Sequence, residues 1–439
     1  MKLRRLRISN CSRIKDLDIE VRDNLVLIGP NGSGKTTVLL CLDMLLGMDD
    51  ENVRQTVSVS SVREESQPFS VEATFGKLGE GERAVFPDAV EASTGELLVK
   101  LEVRMSAGGG KAVANSTRYF PSCATRTSLT QAQREAFGWT LLLSQGIARD
   151  ARRDHLSIVD EVHELASHGT NVLAIDEPEA HLHPSSQRSL TKTLKASESQ
   201  KILVTHSPTI AGSFEPDEIV VICADGSAAQ PEEGFLSGEA GMVARWWVGR
   251  QLEPLTAGTV IAVEGPSDRI IVNKVASALG YDLDRNDAVV IETDGCGNMK
   301  VVESIFGTGG FNIPLYELVD EDAVKDVARR AGANPEDPSD LARHRVFVST
   351  SDLEDEYVRA IGARKLWDKI VGAGLFSKTV LSLCELEADG YPTEENLAEF
   401  IRSKTNRKIP TALAATTLID ASNAHEVDSV ARLLTKLHG

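Results

Sequence analysis

Leu25-Val-Leu-Ile28 runs straight into Gly29-Pro30-Asn31-Gly32-Ser33-Gly34-Lys35-Thr36-Thr37, and this stretch decides the fold of the first half of the chain. Four apolar residues in a row read as a short buried strand. The next eight fit Gly-x-x-x-x-Gly-Lys-Thr, after which Val38, Leu39, Leu42, Leu45 and Leu46 recur at helical spacing. Strand, glycine-rich loop and helix in that order make a phosphate-binding unit. Gly29, Gly32 and Gly34 let the backbone curl, so that the N–H groups around Asn31 and Ser33 converge on phosphate oxygens. Lys35 reaches the outer phosphates, Thr36 ligates Mg²⁺ with Thr37 beside it, and the helix N-terminus adds positive potential.

Val172-Leu-Ala-Ile-Asp176-Glu177 supplies the second half of that site, a buried strand ending in two acids. Asp176 reads as a Mg²⁺ holder and Glu177 as the group that polarises an attacking water. The plainer reading, that Glu177 only begins a loop, loses ground to the residues on its C-terminal side. Pro178-Glu-Ala-His-Leu-His-Pro184 comes next, and Leu203-Val-Thr-His206-Ser-Pro208 ends the following strand. On these strings the sequence resembles the ABC-type ATPases, in the branch with SMC-like, RecF-like and OLD-type proteins. The resemblance implies ATP with Mg²⁺, makes His206 the sensor of the γ-phosphate, and implies a homodimer or higher homo-oligomer through the ATPase domain. The plainer role for His206 is a strand-end cap. The glycine-bearing signature helix of that family has only loose counterparts, at Leu129–Arg134 and Leu143–Gly146, and Gln67 is the nearest Q-loop candidate. ATP binding is therefore expected and fast turnover is not.

Between about residues 68 and 105 the apolar period changes to two, as in Val71, Ala73 and Phe75, then Val99, Leu101, Val103 and Met105. This predicts an antiparallel β insertion. Residues 106–128, rich in Gly, Ser, Ala and Thr, read as a loop, with helices expected over Thr130–Leu143 and Ile147–His168. From Thr259 strands alternate with helical stretches, the signature of a parallel, helix-covered sheet. The expected division is an ATPase domain over 1–250 and a second α/β domain over 257–439 with a helical tail.

In that second half acids gather where strands end. Val260-Ile-Ala-Val-Glu264-Gly-Pro-Ser-Asp268 has one at a strand end and another a helical turn on. Ile313-Pro-Leu-Tyr-Glu-Leu-Val-Asp320-Glu-Asp322 adds a pair, and Asp352-Leu-Glu354 follows the next strand. Parallel strands end at one edge, so these acids converge, and converging carboxylates call for cations between them. Oxygen-only ligands suit Mg²⁺ or Mn²⁺, which in pairs activate water and stabilise the leaving oxygen of a phosphodiester. Helix capping is the plainer role for Asp268 or Asp322 taken alone.

Glu-Gly-x-x-Asp, then Thr293-Asp-Gly-Cys-Gly-Asn298, then Asp-x-Asp resembles a Toprim domain. Joined to the ATPase head, the chain resembles an OLD-family endonuclease over nearly its whole length. The resemblance implies that Glu264 and Asp268 serve one metal, that Asp320 and Asp322 bridge or hold a second, and that Glu354 adds a ligand. It also places Lys408 near the scissile phosphate, where a solvated lysine among Lys404 and Arg407 is the plainer reading. The implied activity is ATP-regulated, metal-dependent nicking or cutting of DNA in defence against phage or foreign DNA, with an accessory defence protein as a further partner. An RNA-cleaving toxin with the same site, and an ATP-switched DNA clamp with a dead nuclease site, are the rivals.

Composition bounds these expectations. Of 439 residues, 47 are Lys or Arg and 65 Asp or Glu, a net charge of −18 that excludes a generic basic coat for nucleic acid. Arg149–Arg153 and Lys404–Lys408 are the basic clusters left to track phosphates. Six scattered cysteines with no Cys-x-x-Cys read as reduced packing residues, and Met1–Arg7 leads into no apolar leader, so a cytoplasmic protein without membrane contact is expected.

Overall fold

The computed structural model describes the chain except residues 65, 109–110, 125, 127, 144–159, 161, 163, 166–170, 181 and 439. Most of the expected helix over 147–168, the Ser144–Gly146 end of one signature candidate and the Arg149–Arg153 cluster lie outside the described residues. The chain parts into two compact units, Met1–Thr256 with Gly309–Phe311, and Ala257–Thr308 with Asn312–Gly439.

The first unit holds two sheets. Strands β1 (Lys2–Cys11), β2 (Ile14–Glu20), β4 (Phe69–Gly76), β5 (Leu97–Gly108) and β6 (Lys111–Tyr119) form an antiparallel sheet in the order β2-β1-β4-β5-β6. Inward residues such as Leu6, Ile8, Val71, Phe75 and Leu101 are buried, as period-two strands require. The expected insertion is thus part of a larger sheet, because β4 pairs with the N-terminal strand β1. The loop expected over 106–128 is corrected: strand pairing runs through it from Ser106–Val113 to Lys100–Tyr119. Small and polar residues in β6 hid the alternation there.

The second sheet is built from β3 (Leu25–Ile28), β7 (Trp139–Leu143), β8 (Val172–Asp176), β9 (Gln200–Val204), β10 (Ile219–Ile222) and β11 (Ala228–Ala229), in the order β11-β10-β3-β9-β8-β7. All its pairings are parallel except that of β11. Every residue of β3, β8, β9 and β10 is buried, which explains why β3 and β10 are continuous apolar runs rather than alternations. Helix Lys35–Leu46 buries Val38, Leu39, Leu42 and Leu45 in the core it shares with the antiparallel sheet. The helix expected over Thr130–Leu143 is corrected to a short helix, Gln131–Ala136, followed by strand β7. Gly138 makes the break with φ +57, and a Cβ there would stand 2.9 Å from the Asn171 nitrogen.

The second unit is built on one parallel sheet, ordered β13-β12-β14-β15, of β12 (Thr259–Val263), β13 (Ala288–Glu292), β14 (Leu315–Asp320) and β15 (Val346–Ser349). Helices Pro266–Ala278, Leu353–Ile361, Glu394–Arg402, Thr405–Ala415 and Asp428–His438 contribute buried residues to its core. The alternation of strands and helices read from Thr259 onward is this sheet with its covering helices. Among the described residues, no helix is long and apolar enough to cross a membrane.

Candidate functional site

In the first unit β3, β9 and β8 are neighbours and parallel, so the loops after Ile28, Val204 and Asp176 emerge at one sheet edge. The Gly29 loop turns there into helix Lys35–Leu46. Gly29 has φ +148, and a Cβ on it would meet the Ile222 carbonyl oxygen at 2.2 Å, so the loop needs glycine at that point. Gly32 and Gly34 also have positive φ. Ser33 and Lys35 are buried, while Asn31 and Thr36 are exposed and Thr37 is half-buried. Lys35 Nζ donates to the carbonyls of Gly29 (2.9 Å) and Pro30 (2.8 Å). Burial lowers its pKa, against the pull of Glu177 and Asp176.

Thr36 Oγ1 lies 3.1 and 3.2 Å from the two carboxylate oxygens of Asp176, at the end of β8. Burial raises the Asp176 pKa, which the Thr36 hydrogen bond opposes. Glu177 adopts a left-handed φ of +46 and brings its Oε1 to 4.0 Å from His206 Nε2. Burial, with Lys35 adding to it, lowers the His206 pKa, so the imidazole is neutral and this contact is not an ion pair. A cavity of about 230 Å³ beside the loop is lined by Gly29, Asn31, Thr205 and His206, with Leu252 and Glu253 opposite.

Two residues here escaped the sequence reading. Glu179 accepts the His206 backbone N–H (2.5 Å) and the Thr205 hydroxyl (2.8 Å), fixing the loop after β9. Its signal lay inside Pro178–Pro184, where it served only as part of a string. Arg13, in the β1–β2 turn, donates to the Gly32 carbonyl at 2.6 Å, and a lone arginine carries no such signal in the sequence. Of the other candidates, Gln67 bonds to Glu64 at 3.0 Å, and Gln131–Ala136 is a six-residue helix capped by Thr130.

In the second unit β12, β14 and β15 are adjacent and parallel, and the acids follow their carboxyl ends. Glu264 comes directly after β12, Asp320 ends β14, and Asp352 and Glu354 follow β15. Asp268 accepts the Gly265 N–H at 2.9 Å and the Ser267 hydroxyl at 3.2 Å, so it caps helix Pro266–Ala278 as well as facing the cluster. Burial pushes its pKa up to about 6. Asp320 is pushed to about 8 by burial, with Glu264, Asp268, Glu354 and Asp352 adding repulsion. Glu354, 1% exposed, is pushed to about 7 by burial, and Lys408 Nζ stands 3.2 Å from its Oε1. Glu264 is raised by burial and then by Asp322. Asp322 itself is exposed at the rim and caps no helix.

Lys408 therefore faces the acids. Burial alone would lower its pKa, but Glu354, Asp268 and Asp320 together leave it raised, so it stays charged. Its neighbour Arg407 is buried, donating to the Phe400 carbonyl at 2.8 Å and lying over the Phe400 ring, so this end of the basic cluster is packing. The segment after β13 folds back beside Glu264, the Gly295 N–H donating to the Glu264 carbonyl at 3.0 Å.

The donor set is one a hard divalent cation would fit. Glu264 Oε1 and both carboxylate oxygens of Glu354 are buried without a hydrogen-bond partner. Mutual repulsion adds to burial in driving these pKa values up, and a cation relieves it. Among the described residues, no three such side chains are already drawn in closely enough to enclose an ion.

Residues 1–97 and 152–211 match the AAA ATPase domain family, and residues 255–322 match the TOPRIM domain of overcoming lysogenization defect protein-like chains. An OLD nuclease from Thermus scotoductus is 40% identical over 45 residues, which span 10% of this chain and 8% of that protein. Among solved structures, the C-terminal region of the Burkholderia pseudomallei OLD protein aligns at 20% identity and TM-score 0.32, covering 42% of this chain and 97% of its own. The SMC head domain from Thermotoga maritima aligns at 14% identity and TM-score 0.34, covering 50% and 94%. Scores at this level assign no fold, which rests on the strand orders and the two family matches. The chain joins a stretch that matches an AAA ATPase domain to one that matches the TOPRIM domain of overcoming lysogenization defect protein-like chains.

Proposed function

We propose that the protein is an ATP-regulated, metal-dependent nuclease that nicks or cuts DNA. The observation that carries the reading is the cluster of Glu264, Asp268, Asp320 and Glu354 at one sheet edge, three of them with pKa values driven to between about 6 and 8. A core that only needed stability would not gather four half-buried or buried acids around one lysine.

Glu264, Asp268, Asp320, Asp322 and Glu354 would hold Mg²⁺ or Mn²⁺, which when bound supplies an activated water and charge stabilisation at a phosphodiester. Glu264 and Asp320 are the acids nearest the chemistry, standing at the ends of two adjacent strands. Lys408 stays charged beside Glu354 and would meet the negative charge that grows on the phosphate in the transition state. Asp268, fixed by its own helix cap, offers the cluster a carboxylate that does not wander.

At the other site, the loop Gly29–Gly34 with Asn31 and Ser33, then Lys35, Thr36 and Thr37, would bind the phosphates of ATP. Asp176 orients the Thr36 hydroxyl, and together they would hold Mg²⁺. Glu177 is placed to polarise a water, and neutral His206 to donate a hydrogen bond to the terminal phosphate. We assign the domain limits 1–250 and 257–439, association through the ATPase domain, and a cytoplasmic role in defence against foreign DNA to this same reading.

Incubating supercoiled plasmid with the protein and Mg²⁺ or Mn²⁺, with and without ATP, tests it. Conversion to open circles or linear DNA that fails in Glu264→Gln and Asp320→Asn supports the reading. Intact plasmid beside degraded RNA would move the substrate class to RNA.

A further inference from the structure

We propose that the hydroxyls of Tyr357 and Thr411 hold the Glu354–Lys408 pair from behind, as positioning residues for a cation bound at the acid cluster. The inference rests on the metal reading above. Glu354 lies on helix Leu353–Ile361 and Lys408 on helix Thr405–Ala415, and these two helices pack together. One turn beyond each member of the pair stands a buried hydroxyl, Tyr357 at 1% exposure and Thr411 at 0%. Residues three apart share a helix face, and helical side chains lean toward the N-terminus, so each hydroxyl-bearing residue covers the turn that carries its partner.

Neither Tyr357 Oη nor Thr411 Oγ1 has a hydrogen-bond partner, and both Glu354 oxygens lack one beyond the Lys408 ion pair. Buried polar atoms in native proteins are nearly always satisfied, so Tyr357 Oη, Thr411 Oγ1 and Glu354 Oε2, three such atoms on two packed helices, need an occupant that the side chains do not supply. Ordered water or a ligated carboxylate meets that need. Burial holds the Tyr357 phenol far above its ordinary pKa, and Glu354, Asp268 and Asp352 press the same way. Tyr357 is therefore a neutral donor with carboxylates within electrostatic reach. Donating to one Glu354 oxygen through one buried water, it would fix that carboxylate and leave the other oxygen for the cation. Thr411 would do the same for Lys408 as an acceptor. Outer hydrogen bonds of this kind orient ligating carboxylates, and their loss commonly weakens metal binding.

The test is calorimetric titration of Mn²⁺ into the full chain without nucleotide, with Glu264→Gln defining the signal that belongs to this cluster. Tyr357→Phe is expected to weaken that binding about 10- to 100-fold. Thr411→Val, which keeps the side-chain shape, should weaken it in the same direction and is the independent second probe. The Tm of both variants in chelator should stay close to the parent's, because no direct hydrogen bond is lost with either hydroxyl. Parent-like Mn²⁺ affinity in both variants overturns the inference, and a lower Tm in chelator with unchanged affinity marks the hydroxyls as packing only. A parent with no Glu264-dependent Mn²⁺ binding overturns the metal reading itself, and the inference falls with it.

Discussion

Thr36 Oγ1 and the Asp176 carboxylate, 140 positions apart, meet at 3.1 Å because the strands that carry them to the site, β3 and β8, flank β9 in one parallel sheet. The residues proposed to hold a magnesium nucleotide are thereby gathered at that edge. Lys35→Ala should lose ATP binding by at least about 100-fold, since it removes the buried cation of the phosphate loop. Glu177→Gln should keep ATP binding and lose about 100- to 1,000-fold in hydrolysis. Equilibrium binding of a fluorescent ATP analogue and phosphate release separate the two effects.

Glu179 makes a different demand. Glu179→Ala leaves the His206 N–H and Thr205 hydroxyl without their acceptor, at a cost of about 1–3 kcal/mol. His206 should lose its register while the phosphate loop stays intact. The expected outcome is near-normal ATP affinity with hydrolysis reduced about tenfold, partly restored in Glu179→Gln. Unchanged hydrolysis in Glu179→Ala would contradict this role.

Repulsion in the acid cluster predicts an exchange of stability for function. Without a cation the fold disfavours the Asp320 carboxylate, its pKa pushed to about 8 by burial and its neighbours, and so gives up stability that the unfolded chain keeps at neutral pH. Asp320→Asn should raise Tm in chelator by several degrees, the order expected for about 1–2 kcal/mol. The same variant should lose the Tm gain that Mg²⁺ or Mn²⁺ gives the parent. Differential scanning fluorimetry in chelator and in each cation reads both effects.

A pH effect comes from elsewhere in the same sheet. Glu317 of β14, 7% exposed, faces Glu303, whose carboxylate accepts Arg330 Nε at 2.8 Å. Burial, with Glu303 adding, pushes the Glu317 pKa from 4.5 to about 8. A raised carboxyl pKa favours the protonated folded state, so its stability is fully present below about pH 4.5 and is lost as pH rises toward 8, by up to about 1.4 kcal/mol per unit. Glu317→Gln cannot ionise, so its Tm should gain on the parent's steadily between pH 5 and 8. A constant difference across that range would show that Glu317 ionises in the fold at its ordinary pKa, and would contradict the raised value.

The sequence made some of this legible for identifiable physical reasons. The phosphate loop was readable because β3 is buried on both faces and glycines are compulsory where Gly29 meets Ile222. The acid cluster was readable because parallel strands must end together, which put Glu264, Asp320 and Glu354 within reach of one another without any local signal. Strand β7 was not, since Trp139–Leu143 sits at a sheet edge behind a glycine break and keeps a helix-like apolar run. Nor was strand β6, whose pairing is set by backbone bonds and whose small and polar side chains carry no alternation. Arg407 looked like a phosphate contact by composition, yet a ring and a carbonyl claim it. Glu179 matters through what lies across from it, the His206 N–H and the Thr205 hydroxyl, and no sequence window contains that.

The most direct measurement is the rate of plasmid nicking in Mn²⁺ by the parent and by Asp320→Asn, each first shown to bind ATP equally. The acid cluster predicts open circles from the parent, none in chelator, and a loss of at least about 100-fold in Asp320→Asn with ATP binding untouched. Equal nicking by both proteins would contradict the assignment of this cluster as the nuclease centre.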